Sequence, residues 1–169
     1  SCSDEAIEQS YIRMEDYPIV DLILGAEKNT LSEKLQQRIS DYTQQGGNLM
    51  LSGSYLGSIL PTHLAQHTLK FTYGGSMYGV TTGQVFGANT TLSFPTQVNE
   101  KSYAVPAPDC LLPTAGAYST FVYTPGNYGA GIAYKGTDFR TFVLGFPFES
   151  IDNAQHRSRI MKAALDLFK

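Results

Sequence analysis

Tryptophan is absent from this 169-residue sequence, and cysteine occurs only twice, at Cys2 and Cys110. Two cysteines with no CxxC spacing make no disulfide framework and leave the redox compartment open. Positive charge is scarce: 12 Lys and Arg against 15 Asp and Glu give a net charge of −3, with no basic block. That balance argues against nucleic acid and anionic membrane surfaces as partners. No apolar run reaches the length of a membrane span. No G-x-G-x-x-G and no P-loop follows a predicted strand, which disfavours a nucleotide or flavin module and calls for no cofactor. Repeats and low-complexity segments are missing too.

What is present suits one compact α/β domain over residues 1–169, with 42% hydrophobic and 16% charged residues. Eleven tyrosines and nine phenylalanines fit either a β-rich core or a surface for sugars or proteins. The chain is organised around Gly47-Asn48-Leu49-Met50-Leu51-Ser52-Gly53-Ser54-Tyr55-Leu56-Gly57. Its short continuous apolar run predicts a strand buried on both faces, and its glycines predict a sharp turn after it. Upstream, Pro18 to Gly25 reads as a strand. Thr30-Leu31-Ser32-Glu33 reads as a capping box opening a helix, with Leu31, Leu35, Ile39 and Tyr42 on one face. Gly46-Gly47 stops that helix. Strand, helix and strand together predict a right-handed βαβ unit.

Beyond Gly57 a brief helix over 62–68 is predicted, then an irregular β-rich insertion over about 69–124. Turn residues such as Thr72-Tyr73-Gly74-Gly75 and Pro106-Ala107-Pro108-Asp109 punctuate it. Three strands follow, at Phe121 to Tyr123, Ala130 to Tyr134 and Phe139 to Gly145. The last two are joined by a turn at Lys135-Gly136-Thr137-Asp138. A final helix from near Asp152 to Phe168 is expected to bury Ile160, Ala164, Leu165 and Phe168. The opening Ser-Cys-Ser-Asp-Glu reads as a cut within a longer polypeptide, just after a strand, so an open position in the sheet is expected.

The candidate chemistry gathers at one edge. Gly53-Ser54-Tyr55-Leu56-Gly57 has the G-x-x-x-G spacing of a nucleophile elbow, with Tyr55 where a hydrolase carries Ser or Cys. Asp4 or Glu5, Glu27 and Glu149 each follow a predicted strand, as does Tyr55. Parallel strands deliver their following loops to one edge, so these side chains are expected to converge there. Tyr55, Glu27 and Glu149 are the candidate catalytic groups, acting as acid and base, with Asp4 and Ser54 as binding residues. The plainer reading has the carboxylates capping helices or turns. His63 and His67 are four apart, but Leu64 stands where a zincin carries Glu, and no metal site is predicted.

Val20 to Gly25, Gly46 to Gly53 and Gly145-Phe146-Pro147-Phe148-Glu149 together resemble the class I glutamine amidotransferase-like, flavodoxin-like superfamily. More narrowly, the sequence resembles a domain of large secreted bacterial proteins labelled xanthan lyase. The resemblance implies a three-layer, mostly parallel flavodoxin-like sheet and a secreted setting. It also implies a polysaccharide, or other domains of a parent chain, as partners. In that family the elbow carries a cysteine and a His-Pro-Glu segment completes the triad. Here Tyr55 holds the elbow and Phe146 most nearly matches the histidine, so the resemblance implies a scaffold or binding domain without glutaminase activity. The alternative is a hydrolase or polysaccharide lyase with its site at the carboxyl edge of the sheet.

Overall fold

The computed structural model describes residues 2–78, 83–87, 90–95, 104–105 and 107–169. In chain order the elements begin with a short helix α1 (Asp4–Glu8), strand β1 (Ile19–Gly25), helix α2 (Glu33–Gln44) and strand β2 (Asn48–Gly53). A four-residue helix α3 (Leu56–Ile59) and a π-helical turn (Leu64–Thr68) lead into β3 (Phe71–Ser76), β4 (Gly83–Gly87), β5 (Thr90–Phe94) and β6 (Asp109–Pro113). Strands β7 (Ala117–Tyr123), β8 (Tyr128–Lys135) and β9 (Arg140–Leu144), a 3-10 turn (Phe148–Ser150) and helix α4 (Ala154–Leu167) complete the chain.

Seven strands form one sheet in the order β1-β2-β9-β8-β7-β4-β5, and β3 and β6 form a separate antiparallel ribbon. The βαβ unit expected from the sequence is present, with β1 and β2 paired in parallel. The expected mostly parallel, flavodoxin-like sheet is realised as a mixed α/β sheet. Two of its pairs, β1 with β2 and β2 with β9, are parallel, and the other four are antiparallel. The reason lies in the connections. A parallel neighbour needs a long crossover, which α2 supplies, whereas β8 and β9 are joined by a tight turn with Lys135 opposite Arg140. Strand β1 pairs only with β2 among the described residues, so its other edge is open.

The continuous apolar run of β2 is explained by burial on both faces. Leu49 and Leu51 pack with Leu35, Ile39 and Tyr42 of α2. Met50 faces the other way, with Phe142 and Leu144 of β9 and Ile160 and Ala164 of α4.

Several boundaries differ from expectation. The N-cap of α2 is Ser32, whose Oγ accepts the Leu35 N–H at 3.1 Å, rather than Thr30. Leu165, expected in the core, is 40% exposed, and Leu167 takes the buried position. Thr72 to Gly75 lies within β3 rather than in a turn, and Pro106, part of another predicted turn, lies outside the described residues. The β-rich stretch 69–124 divides in two: β4, β5 and β7 extend the main sheet, while β3 and β6 form the ribbon.

Candidate functional site

The turn after β2 has the backbone of an elbow. Tyr55 sits between strand and helix at φ 63° and ψ 17°, in the left-handed region that costs a bulky residue strain. Ser54 before it is fully buried. Its N–H donates to the Gly25 carbonyl at 2.9 Å and its hydroxyl lies 3.4 Å from the same oxygen. Ser54 therefore ties the end of β2 to the end of β1, which is a structural use of a residue proposed for binding.

An elbow of this shape points its first helical N–H groups at one spot, which in an acyl-transfer enzyme would receive a developing oxyanion. Here the spot is filled from within. The Asp109 carboxylate, at the start of β6, accepts the Gly57 N–H at 3.0 Å and the Ser76 hydroxyl at 3.2 Å. The Leu56 and Tyr55 N–H groups also contribute hydrogen bonds to it. Ser76 is held in turn by the Tyr73 hydroxyl at 2.9 Å. Asp109 is completely buried, and desolvation pushes its pKa up to about 6 although all these donors pull it down.

The backbone around Asp109 is as closely fitted. Its N–H donates to the Gly145 carbonyl at 2.7 Å, and the Tyr123 hydroxyl lies 3.0 Å from the Asp109 carbonyl and 3.1 Å from that of Gly145. Burial first, then the Asp109 charge, raises the Tyr123 phenol well above its ordinary value. A Cβ on Gly145 would stand 2.2 Å from the Asp109 carbonyl oxygen, so only glycine admits β6 this close. Similarly, the Tyr73 ring covers Gly57, where a Cβ would meet it at 2.2 Å. The β3–β6 ribbon thus closes the carboxyl edge of β2 and β9.

The remaining sequence-predicted residues make separate contacts. The Lys28 ammonium stands 4.9 Å from the centroid of the Tyr55 ring, so the loop after β1 does reach the elbow. Glu27, next to Lys28, is exposed, and its Oε1 accepts the Lys28 and Asn29 N–H groups, each at 2.7 Å. Those bonds lower its pKa and make it the cap of its own loop. Glu149 lies in the 3-10 turn after β9 and faces Asp21 of β1. Desolvation and then the charge of Glu149 push Asp21 up to about 6. Asp4 is exposed in the first turn of α1, a helix that packs on α2. His63 and His67 are both exposed, and no metal-binding cluster occurs among the described residues.

Asp109 was missed by reading the sequence. Its signal is a lone acid in the apolar run Ala107-Pro108-Asp109-Cys110-Leu111-Leu112, a place where an ionisable group needs a dedicated partner.

No protein-family model and no curated protein matches the chain. Solved structures do. Gan42B, a GH42 β-galactosidase, is similar with a TM-score of 0.66 at 12% identity, over 93% of this chain and 22% of that one. The β-galactosidase of Halorubrum lacusprofundi is similar with a TM-score of 0.63 at 16% identity, over 92% and 22%. The mmIFT52 N-terminal domain is similar with a TM-score of 0.62 at 12% identity, over 99% and 82%. The chain therefore spans about a fifth of the β-galactosidase chains and most of the mmIFT52 domain. Identities this low establish a shared fold. They also correct the resemblance to class I glutamine amidotransferases and to proteins labelled xanthan lyase, because the neighbours are β-galactosidases and an IFT52 domain. Among the described residues no helix is long and apolar enough to cross a membrane.

Proposed function

We propose that this chain is an accessory domain of a larger carbohydrate-processing polypeptide, with its elbow used as a structural joint instead of a catalytic one. The observation that carries this reading is Asp109 on the N–H groups at the start of α3. An anion-stabilising site already holding a buried carboxylate has no vacancy for a substrate oxyanion, and that carboxylate would repel one. The carbohydrate setting is supported by the β-galactosidase neighbours, and the accessory role by the fifth of their length that the chain spans.

A second reading, a glycoside hydrolase site on the chain itself, is favoured by one observation. Asp21 and Glu149 are two interacting carboxylates, and Asp21 is raised to about 6. Glycosidases need one carboxyl protonated beside one ionised. In that reading Tyr55, Glu27 and Glu149 supply the chemistry and Asp4 the contact to the sugar, while the fully buried Ser54 only holds the turn.

The test is hydrolysis of nitrophenyl glycosides, β-galactoside included, and of reduced-end-labelled polysaccharides by the purified chain. The accessory reading expects no turnover above a protein-free blank, from pH 4 to pH 8. Turnover abolished by Glu149→Gln or Tyr55→Phe would establish the second reading instead.

A further inference from the structure

The face of β1 that looks away from α2 is uncovered. Val20, Leu22 and Leu24 pack into the α2 cluster, while Ile19 and Ile23 alternate onto the opposite face, 36% and 49% exposed. On that side α4 packs against β9. It buries Ile160, Ala164 and Leu167, and leaves Leu165 40% exposed. The 3-10 turn after β9 lies against β1 and bridges the two. A groove of about 590 Å³ runs along α4, with Phe148, Ala154, Met161 and Leu165 as its apolar floor. Strand, turn and helix thus present an apolar surface beside an open strand edge. Such surfaces mark association sites more often than ordinary exterior.

The charges on this surface are divided. Asp21 and Glu149 carry negative charge on the β1 side. Arg157, Lys162 and Lys169 line the α4 side, where Asp166 pairs with Lys162 and Lys169 and leaves that side net positive. Asp21 stands between Ile19 and Ile23 on that face of β1, so an acidic β1 side and a basic α4 side of one apolar surface form a patch complementary to itself. A two-fold axis through the surface sets the β1 side of one copy against the α4 side of the other, which is the requirement for an isologous interface.

We propose that the β1–α4 face binds a second copy of this chain, forming a two-fold dimer. In it Ile19, Ile23 and Leu165 are buried, and Asp21 meets Lys162 of the partner. The dimer goes beyond the accessory role above and does not depend on it. A patch bounded by one strand and one helix is at the small end of stable interfaces, so dissociation in the range of about 1–100 µM is expected.

Sedimentation velocity on the purified chain across that range tests the proposal. The expected result is a monomer–dimer equilibrium that weakens at least tenfold with Leu165→Glu or Ile23→Glu. All four sites used are on the surface, and circular dichroism confirms that each variant is folded. Asp21→Lys alone and Lys162→Glu alone are each expected to lose the dimer by like-charge repulsion, and an equimolar mixture of the two is expected to recover it. A chain that remains monomeric up to about 1 mM overturns the proposal. So does a dimer indifferent to Leu165→Glu, or a mixture that fails to recover association.

Discussion

The Asp109 carboxylate accepts the N–H of Gly57, 52 positions earlier in the chain, at 3.0 Å. That bond joins the ribbon to the elbow and fills the place an oxyanion would take. Asp109→Ala removes the acceptor and leaves the Gly57 N–H and the Ser76 hydroxyl without it in a part-buried site. We expect a loss of about 1–3 kcal/mol. Asp109→Asn, which keeps an acceptor oxygen, is expected to lose less. Thermal melts of the two variants and the parent chain check the ranking.

Acidity separates the two variants further. Asp109 has its pKa raised to about 6 from an ordinary 3.8 by burial, so between these values the folded chain holds a proton that the unfolded chain has released. Stability from this group is full below about pH 4 and is lost as the pH rises through about 6. Asp21 shifts in the same direction, but it keeps solvent contact and its effect on stability is screened. Urea midpoints measured from pH 4 to pH 7 should therefore fall with rising pH, by on the order of 2 kcal/mol in stability. Asp109→Asn should flatten most of that slope. An unchanged slope in the variant would remove Asp109 as its source.

Gly145→Ala probes the close approach of β6. The added Cβ would stand 2.2 Å from a backbone oxygen, which no side-chain rotation relieves. We expect a loss of about 3 kcal/mol. Gly57→Ala places its Cβ equally near the Tyr73 ring, but that ring is 42% exposed and free to swing out. Its loss should be smaller. Equal melting temperatures for the two variants would contradict the rigid-backbone account.

Tyr42 supplies a control far from the elbow. Its hydroxyl lies 3.0 Å from the Tyr17 carbonyl and 3.1 Å from the Asn48 carbonyl, linking α2 to the start of β2. Desolvation pushes the phenol up to about 12. Tyr42→Phe should cost about 1 kcal/mol, without altering the pH dependence assigned to Asp109. Chemical denaturation at two pH values checks both parts.

The βαβ unit was legible because local signals agree there. An unbroken apolar run marks β2, helical spacing of Leu35, Ile39 and Tyr42 marks α2, and paired glycines separate them. The β8–β9 hairpin was legible from its turn residues for the same reason. What escaped is long-range. Nothing near Asp109 says that its carboxylate will meet Gly57, and nothing near β7 says that it will pair with β4 instead of opening a new layer. Tyr55 could be placed on a sharp turn from its flanking glycines. That the turn is already filled could not be read, because the filling residue belongs to the stretch with the weakest periodicity. Leu165 shows the converse limit: its helical position suits a core residue, yet it lines the open groove along α4 with Phe148 and Met161.

Separation along the chain also sets an order in time. Strands β1 and β2 and helix α2 meet through nearby contacts, whereas the elbow waits for a carboxylate from beyond three further strands, β3, β4 and β5. Contacts closing so long a loop come late in folding. The strained turn at Tyr55 is thus built last and let go first. Damage at Asp109 should then appear as faster unfolding with nearly unchanged refolding, the pattern of a contact absent from the transition state.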